Sequence, residues 1–351
     1  MSRGRESAAP RPRAGLPDRQ VPGQRGSNRR NPEGARDPKG RKPLRRRPAG
    51  RRRGGACVIN GFLVIDKPEG ITSHGVVQRV RQWAEQRRVG HLGTLDPLAR
   101  GVLPMALGEA TKLSRLLTHG KKSYRGRIRL GVATASYDRE GEVISSCEGP
   151  WPELEELEKA LETFRGAIRQ VPPPFSARKL GGEKAYRLAR RGEPVELAPT
   201  DVTIERLDLL DYSPPFLSLV VDCSAGTYVR SLAHDLGRML GTGAHLWELC
   251  RTRSGPFILE QAIPLEDLAA LGRDHVIPMA SATGVVSYEV DVRIARRVAC
   301  GVQLGRQELR GALPQGLLQL VHQGRLVALL EAEPGLPLLR TVRVFLEGTK
   351  G

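Results

Sequence analysis

The segment Gly90-His91-Leu92-Gly93-Thr94-Leu95-Asp96-Pro97, continuing as Leu98-Ala99-Arg100-Gly101-Val102-Leu103-Pro104, constrains this chain more than any other. Its glycine and proline content excludes a helix or an inner strand at its centre. A single carboxylate, Asp96, is thereby framed in a loop between a helical segment and an apolar run. Asp before Pro is also an ordinary turn initiator, whose side chain can bond nearby backbone N–H groups. The flanking segments bear on which reading applies.

Val58–Ile65 reads as a strand, Asp66-Lys67-Pro68-Glu69-Gly70 as a turn, and Thr72 or Ser73 as a helix cap. Val76, Val77, Val80, Trp83 and Ala84 then recur at helical spacing and deliver the chain into the Asp96 loop. Ala110–Leu117 reads as a short helix. From Tyr124 to Val132 the pattern alternates, with Tyr124, Ile128, Leu130 and Val132 on one face and Arg125, Arg127 and Arg129 on the other. Such a basic face suits a sheet that meets RNA, and equally a solvated row of arginines.

Pro152–Phe164 reads as a helix with glutamates in its first turns, and Gln170-Val171-Pro172-Pro173-Pro174-Phe175-Ser176-Ala177 as extended chain. Phe216–Cys223 is a strand pattern and Thr227–Leu240 a helical one, with Val229, Leu232, Ala233, Leu236 and Leu240 as its apolar stripe. Arg230 falls in the first turn of that helix, where the dipole disfavours an unpaired cation. A carboxylate partner would explain it; so would an ordinary surface position. Beyond Val286, Ala295–Val298 is helical in character. Leu317–Val321, His322-Gln323-Gly324 and Leu326–Glu331 read as a hairpin, and Thr341–Leu346 as a last strand.

The ordered run Gly90–Pro97, Gly101-Val102-Leu103-Pro104 and Leu107-Gly108-Glu109-Ala110-Thr111-Lys112 resembles the active-site motif of TruB-type tRNA pseudouridine-55 synthases. Cys223-Ser224-Ala225-Gly226-Thr227-Tyr228-Val229-Arg230 matches the second motif of that family. Gln170–Ala177, with Lys184-Ala185-Tyr186 and Ala189-Arg190-Arg191-Gly192, resembles its RNA-contacting insertion. The basic residues there, among them Arg178, Lys179, Lys184 and Arg187, would contact phosphates.

The resemblance covers residues 58–260 and implies an α+β fold. A catalytic domain over 57–285 would hold a mixed, largely antiparallel central sheet flanked by helices, with an insertion at 170–200. More loosely, it implies a PUA-like RNA-binding domain over 286–351. The implied activity is a cofactor-independent isomerase, an intramolecular transferase, acting on flipped-out uridine 55 in the T loop of tRNA. Asp96 would serve as nucleophile or base, Arg230 as its charge partner, and Tyr124, in Lys122-Ser123-Tyr124-Arg125, as the base-stacking ring. His91 would enter the RNA loop or act as a hydrogen-bonded loop histidine. Lys67 would sit beside the active site or hold the Asp96 loop, and Leu249 would line the pocket. Leu92, Arg100 and Cys250 depart from the family pattern, each flanking a proposed site residue without replacing it. An RNA-guided relative acting on rRNA and a non-catalytic RNA-binding protein are the alternatives.

Charge and cysteine usage bound the rest. The chain has 351 residues, 39% of them hydrophobic, enough for two folded domains and a tail. Residues 1–56 hold 18 Lys+Arg against 4 Asp+Glu, whereas the remainder holds 38 against 34, so most of the net charge of +18 sits in that stretch. Without an aromatic residue or an apolar period, 1–56 is expected to be a disordered basic tail. It could supply salt-sensitive RNA affinity or act only as a solubilising arm. It lacks the apolar run of a signal peptide, and no later window is apolar for long enough to span a membrane. Five scattered cysteines and seven scattered histidines form no metal-ligand pattern, and no phosphate-binding glycine loop is present. The cysteine and histidine patterns predict a reduced, cytoplasmic, metal-free protein, and the family resemblance implies a monomer with the T-arm of tRNA as its partner and no obligate protein partner.

Overall fold

The computed structural model describes residues 58–345. The tail, residues 1–56, lies outside the described residues, as does Leu346 at the expected end of the last strand.

β1 (Gly61–Lys67) is buried along nearly all its length because both its faces are covered, as its unbroken run Phe62-Leu63-Val64-Ile65 requires. α1 (Ser73–Trp83) follows, and of its two candidate caps Thr72 is the one used, its Oγ1 accepting from the Gly75 N–H at 3.0 Å. β2 (Val89–His91) and β3 (Ala99–Leu107) flank the Asp96 loop, and β3 pairs antiparallel with both β1 and β2. The helix expected at Ala110–Leu117 is a 3₁₀ segment, Gly108–Leu113, followed by α2 (Ser114–Thr118).

β4 (Lys122–Leu130) alternates between buried and exposed residues as its sequence predicts. Gly131, at φ +83°, ends it, so Val132 does not extend the strand. It starts a small hairpin instead, β5 (Val132–Thr134) and β6 (Val143–Ser146). α3 (Leu154–Glu162) and β7 (Gly166–Gln170) come next, and then the insertion: β8 (Lys179–Leu180), β9 (Glu183–Lys184) and α4 (Ala185–Arg190). The long hairpin β10 (Thr200–Ser213) and β11 (Phe216–Cys223) leads to α5 (Val229–Met239). β12 (Ala244–Ser254), β13 (Phe257–Ile258) and β14 (Ile263–Pro264) complete the sheet.

The sheet has ten strands in the order β14-β1-β3-β12-β4-β11-β10-β7, with β2 beside β3 and β13 beside β12. Only the β14–β1 and β3–β12 pairs are parallel, so the sheet is mixed and largely antiparallel. Helices α1, α3 and α5 cover one face, where Val76, Val80, Leu157, Leu232 and Leu236 join Ile65, Leu103, Ile128 and Leu219 in the main core. On the opposite face Arg127 lies 4.2 Å from the Phe216 ring centroid and Arg129 5.7 Å from that of Trp247. That basic row meets aromatic neighbours of the sheet itself.

After α6 (Leu268–Leu271) and α7 (Met279–Ala282), a second sheet forms from β15 (Val286–Glu289), β16 (Gly316–His322), β17 (Arg325–Ala332) and β18 (Arg340–Val344). α8 (Val292–Ala299) packs on it, capped by Asp291, whose Oδ1 accepts from the Ile294 N–H at 2.9 Å. Between β16 and β17, Gln323 (φ +50°) and Gly324 (φ +73°) make the two-residue left-handed turn that a tight hairpin needs. Phe62, Val64 and Val102 of the large sheet share one apolar cluster with Leu326, Leu329 and Phe345 of this region.

Candidate active site

Leu95 and Leu98 are both buried in the main core, which leaves Asp96, between them, lining a cavity of about 260 Å³. Three buried polar residues hold the loop in that shape. The Ser73 hydroxyl accepts from the Leu95 N–H at 2.8 Å and donates to the Leu95 carbonyl at 2.9 Å. The fully buried Lys67 ammonium donates to the carbonyls of Pro68, Pro97 and Ala99 at 2.9, 3.1 and 2.6 Å. Arg251, 1% exposed, donates from Nε to the Val102 carbonyl at 2.8 Å, and from Nη2 and Nη1 to Gly93 and Thr94 at 3.0 and 3.3 Å. Close approach makes this possible: Gly101 has φ +99°, and a Cβ there would sit 2.3 Å from the Arg251 carbonyl oxygen.

Arg230 enters from the first turn of α5 and is nearly buried. Its Nε stands 2.9 Å from Asp96 Oδ2, an ion pair whose angle falls outside hydrogen-bond geometry, and its Nη1 stands 3.4 Å from Asp138 Oδ2. Nη1 and Nη2 also donate to the carbonyls of Ser136 and Phe175, each at 3.0 Å. Asp138 is itself buried and accepts from the Ser136 hydroxyl at 2.6 Å. One cation therefore serves two carboxylates. The N-terminus of α5 is fixed by Gln170, whose side-chain amide bonds both the N–H (2.8 Å) and the carbonyl (3.0 Å) of Tyr228.

Tyr124 lines the cavity from β4, directly across the strand pair from Arg251. Burial pushes its phenol above the usual tyrosine pKa, and the Arg251 charge opposes that rise. The same burial lowers Arg251. Lys67 and Lys122 are each pushed down to about 8, mainly by burial. Leu249 lines the cavity as an apolar wall. His91 is on β2 opposite Met105 and is not a lining residue; its Nδ1 is buried without a hydrogen-bond partner, and burial, then Arg251, lowers its pKa.

Asp96, Tyr124, Arg230 and Leu249 thus converge on one cavity, with Lys67 behind the loop. Asp138, Arg251 and Gln170 are additions that the sequence did not single out. Asp138 could have been suspected from its position in Ser136-Tyr137-Asp138-Arg139-Glu140-Gly141, a second acidic turn. Leu92, one of the departures, is buried in the apolar cluster next to the C-terminal sheet. The other two, Arg100 and Cys250, are paired residues on adjacent strands β3 and β12. Among the described residues no group of three or more His, Cys, Asp or Glu is placed to hold a metal ion. No described helix is long and apolar enough to cross a membrane.

The TruB family pseudouridylate synthase (N terminal domain) matches residues 81–229, and the tRNA pseudouridylate synthase B C-terminal domain matches 230–280. The tRNA pseudouridine synthase B of Solibacter usitatus is 49% identical over 222 residues, covering 63% of this chain and 76% of that protein. That of Geobacter sulfurreducens is 40% identical over 305 residues, 82% of this chain and all of that protein. The chain belongs to the TruB family of pseudouridylate synthases.

Solved structures agree with that membership. An H/ACA RNP bound to a substrate RNA containing 2′-deoxyuridine is similar with a TM-score of 0.62 at 26% identity, covering 81% of this chain and 84% of that one. A Cbf5-Nop10-Gar1 complex is similar with a TM-score of 0.62 at 28% identity and the same coverage. As a TruB-family member the chain is an isomerase. The boundary between its two family matches falls between Val229 and Arg230, in the first turn of α5, so the ion pair of Asp96 with Arg230 joins the two matched regions.

Proposed function

We propose that this chain converts uridine 55 in the T loop of tRNA to pseudouridine, with Asp96 as the residue that acts on the ribose or base. One observation carries this reading: a carboxylate framed at a cavity wall and ion-paired at 2.9 Å to a nearly buried arginine. The reaction breaks the ribose C1′–N1 bond, turns the base and forms a C1′–C5 bond; C5 loses a proton and N1 gains one. A carboxylate can attack C1′, add to C6 of the uracil, or take a proton at the sugar. Arg230 supplies the opposite charge that orients it.

To enter the cavity the uridine leaves its stack, and an aromatic ring offsets part of that loss, about 1–3 kcal/mol per base. Tyr124 is the ring we assign to this role, and we assign its phenol the relay of the C5 proton as well. Leu249 packs against the base. Lys67 acts through the Asp96 loop, and His91 enters the RNA loop at the place the flipped base leaves. Lys184, Arg187 and Arg190 surround the half-buried Tyr186 ring at 5.8, 6.0 and 5.7 Å, a cationic surface suited to phosphates.

We assign residues 57–285 to catalysis and 286–351 to a PUA-like RNA-binding region. The enzyme works as a cytoplasmic monomer on the T-arm and needs no partner protein. Tritium release from tRNA labelled at uridine C5 tests the reading. Wild type should release tritium and Asp96→Asn should not. Binding without release by the wild type would favour a non-catalytic RNA-binding protein, and equal release by both would remove Asp96 from the chemistry.

A further inference from the structure

Among the described residues, one buried hydroxyl in the cavity wall has no hydrogen-bond partner. Ser176 is 3% exposed, and its Oγ is buried without a hydrogen bond within the chain. Leaving such a group unpaired costs about 1–3 kcal/mol, so native structures rarely do so without a reason. Ser176 lines the same cavity as Asp96, Tyr124 and Arg230.

The backbone around it is already committed. The Phe175 carbonyl accepts from Arg230 Nη2 at 3.0 Å, and the Ser176 carbonyl accepts from the Tyr186 N–H, in the first turn of α4, at 3.0 Å. Pro172, Pro173 and Pro174 stiffen the approach. The side chain is therefore held in place, and its hydroxyl can both donate and accept.

We propose that Ser176 Oγ is a substrate-recognition group that makes its missing hydrogen bond to an oxygen of the target nucleotide, on the uracil or the ribose. A bound nucleotide would then be held by the segment that also carries the Arg230 contact and the start of the basic helix α4. The inference rests on the uridine-isomerase reading and adds a residue to its recognition of substrate.

The test uses the full chain with T-arm stem-loop RNA. Uridine turnover and thermal unfolding are measured for wild type and Ser176→Ala. Equilibrium binding is measured in an Asp96→Asn background, with and without Ser176→Ala, for RNAs bearing uridine, 2-thiouridine, 4-thiouridine or 2′-deoxyuridine at the target. Ser176→Ala should lower kcat/KM about 3- to 10-fold, the worth of one hydrogen bond. It should leave Tm unchanged or raised, because no internal bond is lost, and should abolish the binding penalty of one analogue. Unchanged turnover, a lowered Tm, or penalties that all persist in the Ser176→Ala chain would each overturn the proposal. Absence of tritium release from wild type would instead defeat the isomerase reading, while the binding comparison would still report on Ser176.

Discussion

Ser73 satisfies both main-chain polar groups of Leu95, accepting from its N–H at 2.8 Å and donating to its carbonyl at 2.9 Å. Leu95 precedes Asp96, so a helix-terminal hydroxyl sets the position of the cavity-lining carboxylate. Ser73→Ala strands two buried groups and should destabilise the chain by about 2 kcal/mol, read from urea unfolding. Thr72→Ala, which loses only the α1 cap, should cost about 1 kcal/mol and spare turnover.

Asp138 contacts Arg230 but does not line the cavity. Asp138→Asn should therefore lower kcat, by about tenfold to a hundredfold if Arg230 shifts, and leave KM for tRNA near its wild-type value. Steady-state kinetics separate the two parameters. A rise in KM with constant kcat would place Asp138 in binding instead.

Lys67 and Lys122 are pushed down to about 8 by burial, from 10.5. Between those values the unfolded chain holds more protons than the folded one, so the contribution of these lysines to stability increases as pH rises from about 8 toward 10.5. Below about 8 both states are protonated and this contribution is flat. Urea unfolding of wild type and Lys67→Met should diverge in favour of wild type across that window; parallel curves would refute the shift.

Arg251 spans carbonyls on both sides of the Asp96 loop, from Val102 to Gly93. Lysine keeps the charge but donates from a single atom, so Arg251→Lys should lose part of this span. The expected cost is about 2–3 kcal/mol, a fall in Tm of roughly 5–10 °C by calorimetry.

Deleting residues 1–56 removes 18 basic side chains against 4 acidic ones. RNA affinity should drop at low salt and converge with wild type at high salt, while single-turnover rates hold. Filter binding across a salt series measures this directly.

Local pattern carried much of the architecture into view. The β4 alternation, the α5 stripe and the Gln323-Gly324 turn are all encoded within a few residues. Asp96 was legible because glycines and prolines frame it. Arg251 was not, since its burial depends on β3 passing close beside β12 at Gly101, a pairing between residues about 150 positions apart. Asp138 was hidden for a similar reason: the 134–141 loop docks on β12, where Leu246 bonds both Tyr137 and Arg139. The aromatic neighbours of Arg127 and Arg129, Phe216 and Trp247 on β11 and β12, were not legible in the β4 alternation because they lie about 90 to 120 positions away along the chain.

The cluster joining Phe62 and Val64 to Leu326, Leu329 and Phe345 makes β1 a strand with two clients. One of its faces belongs to the core behind Asp96, the other to a cluster built with Val102, Phe257 and Met279 and completed by the C-terminal sheet. A chain ending at residue 285 would lose Leu326, Leu329 and Phe345 from that cluster and open part of this second face to water. The C-terminal region is thus tied to the large sheet as a partner in folding through the back of β1.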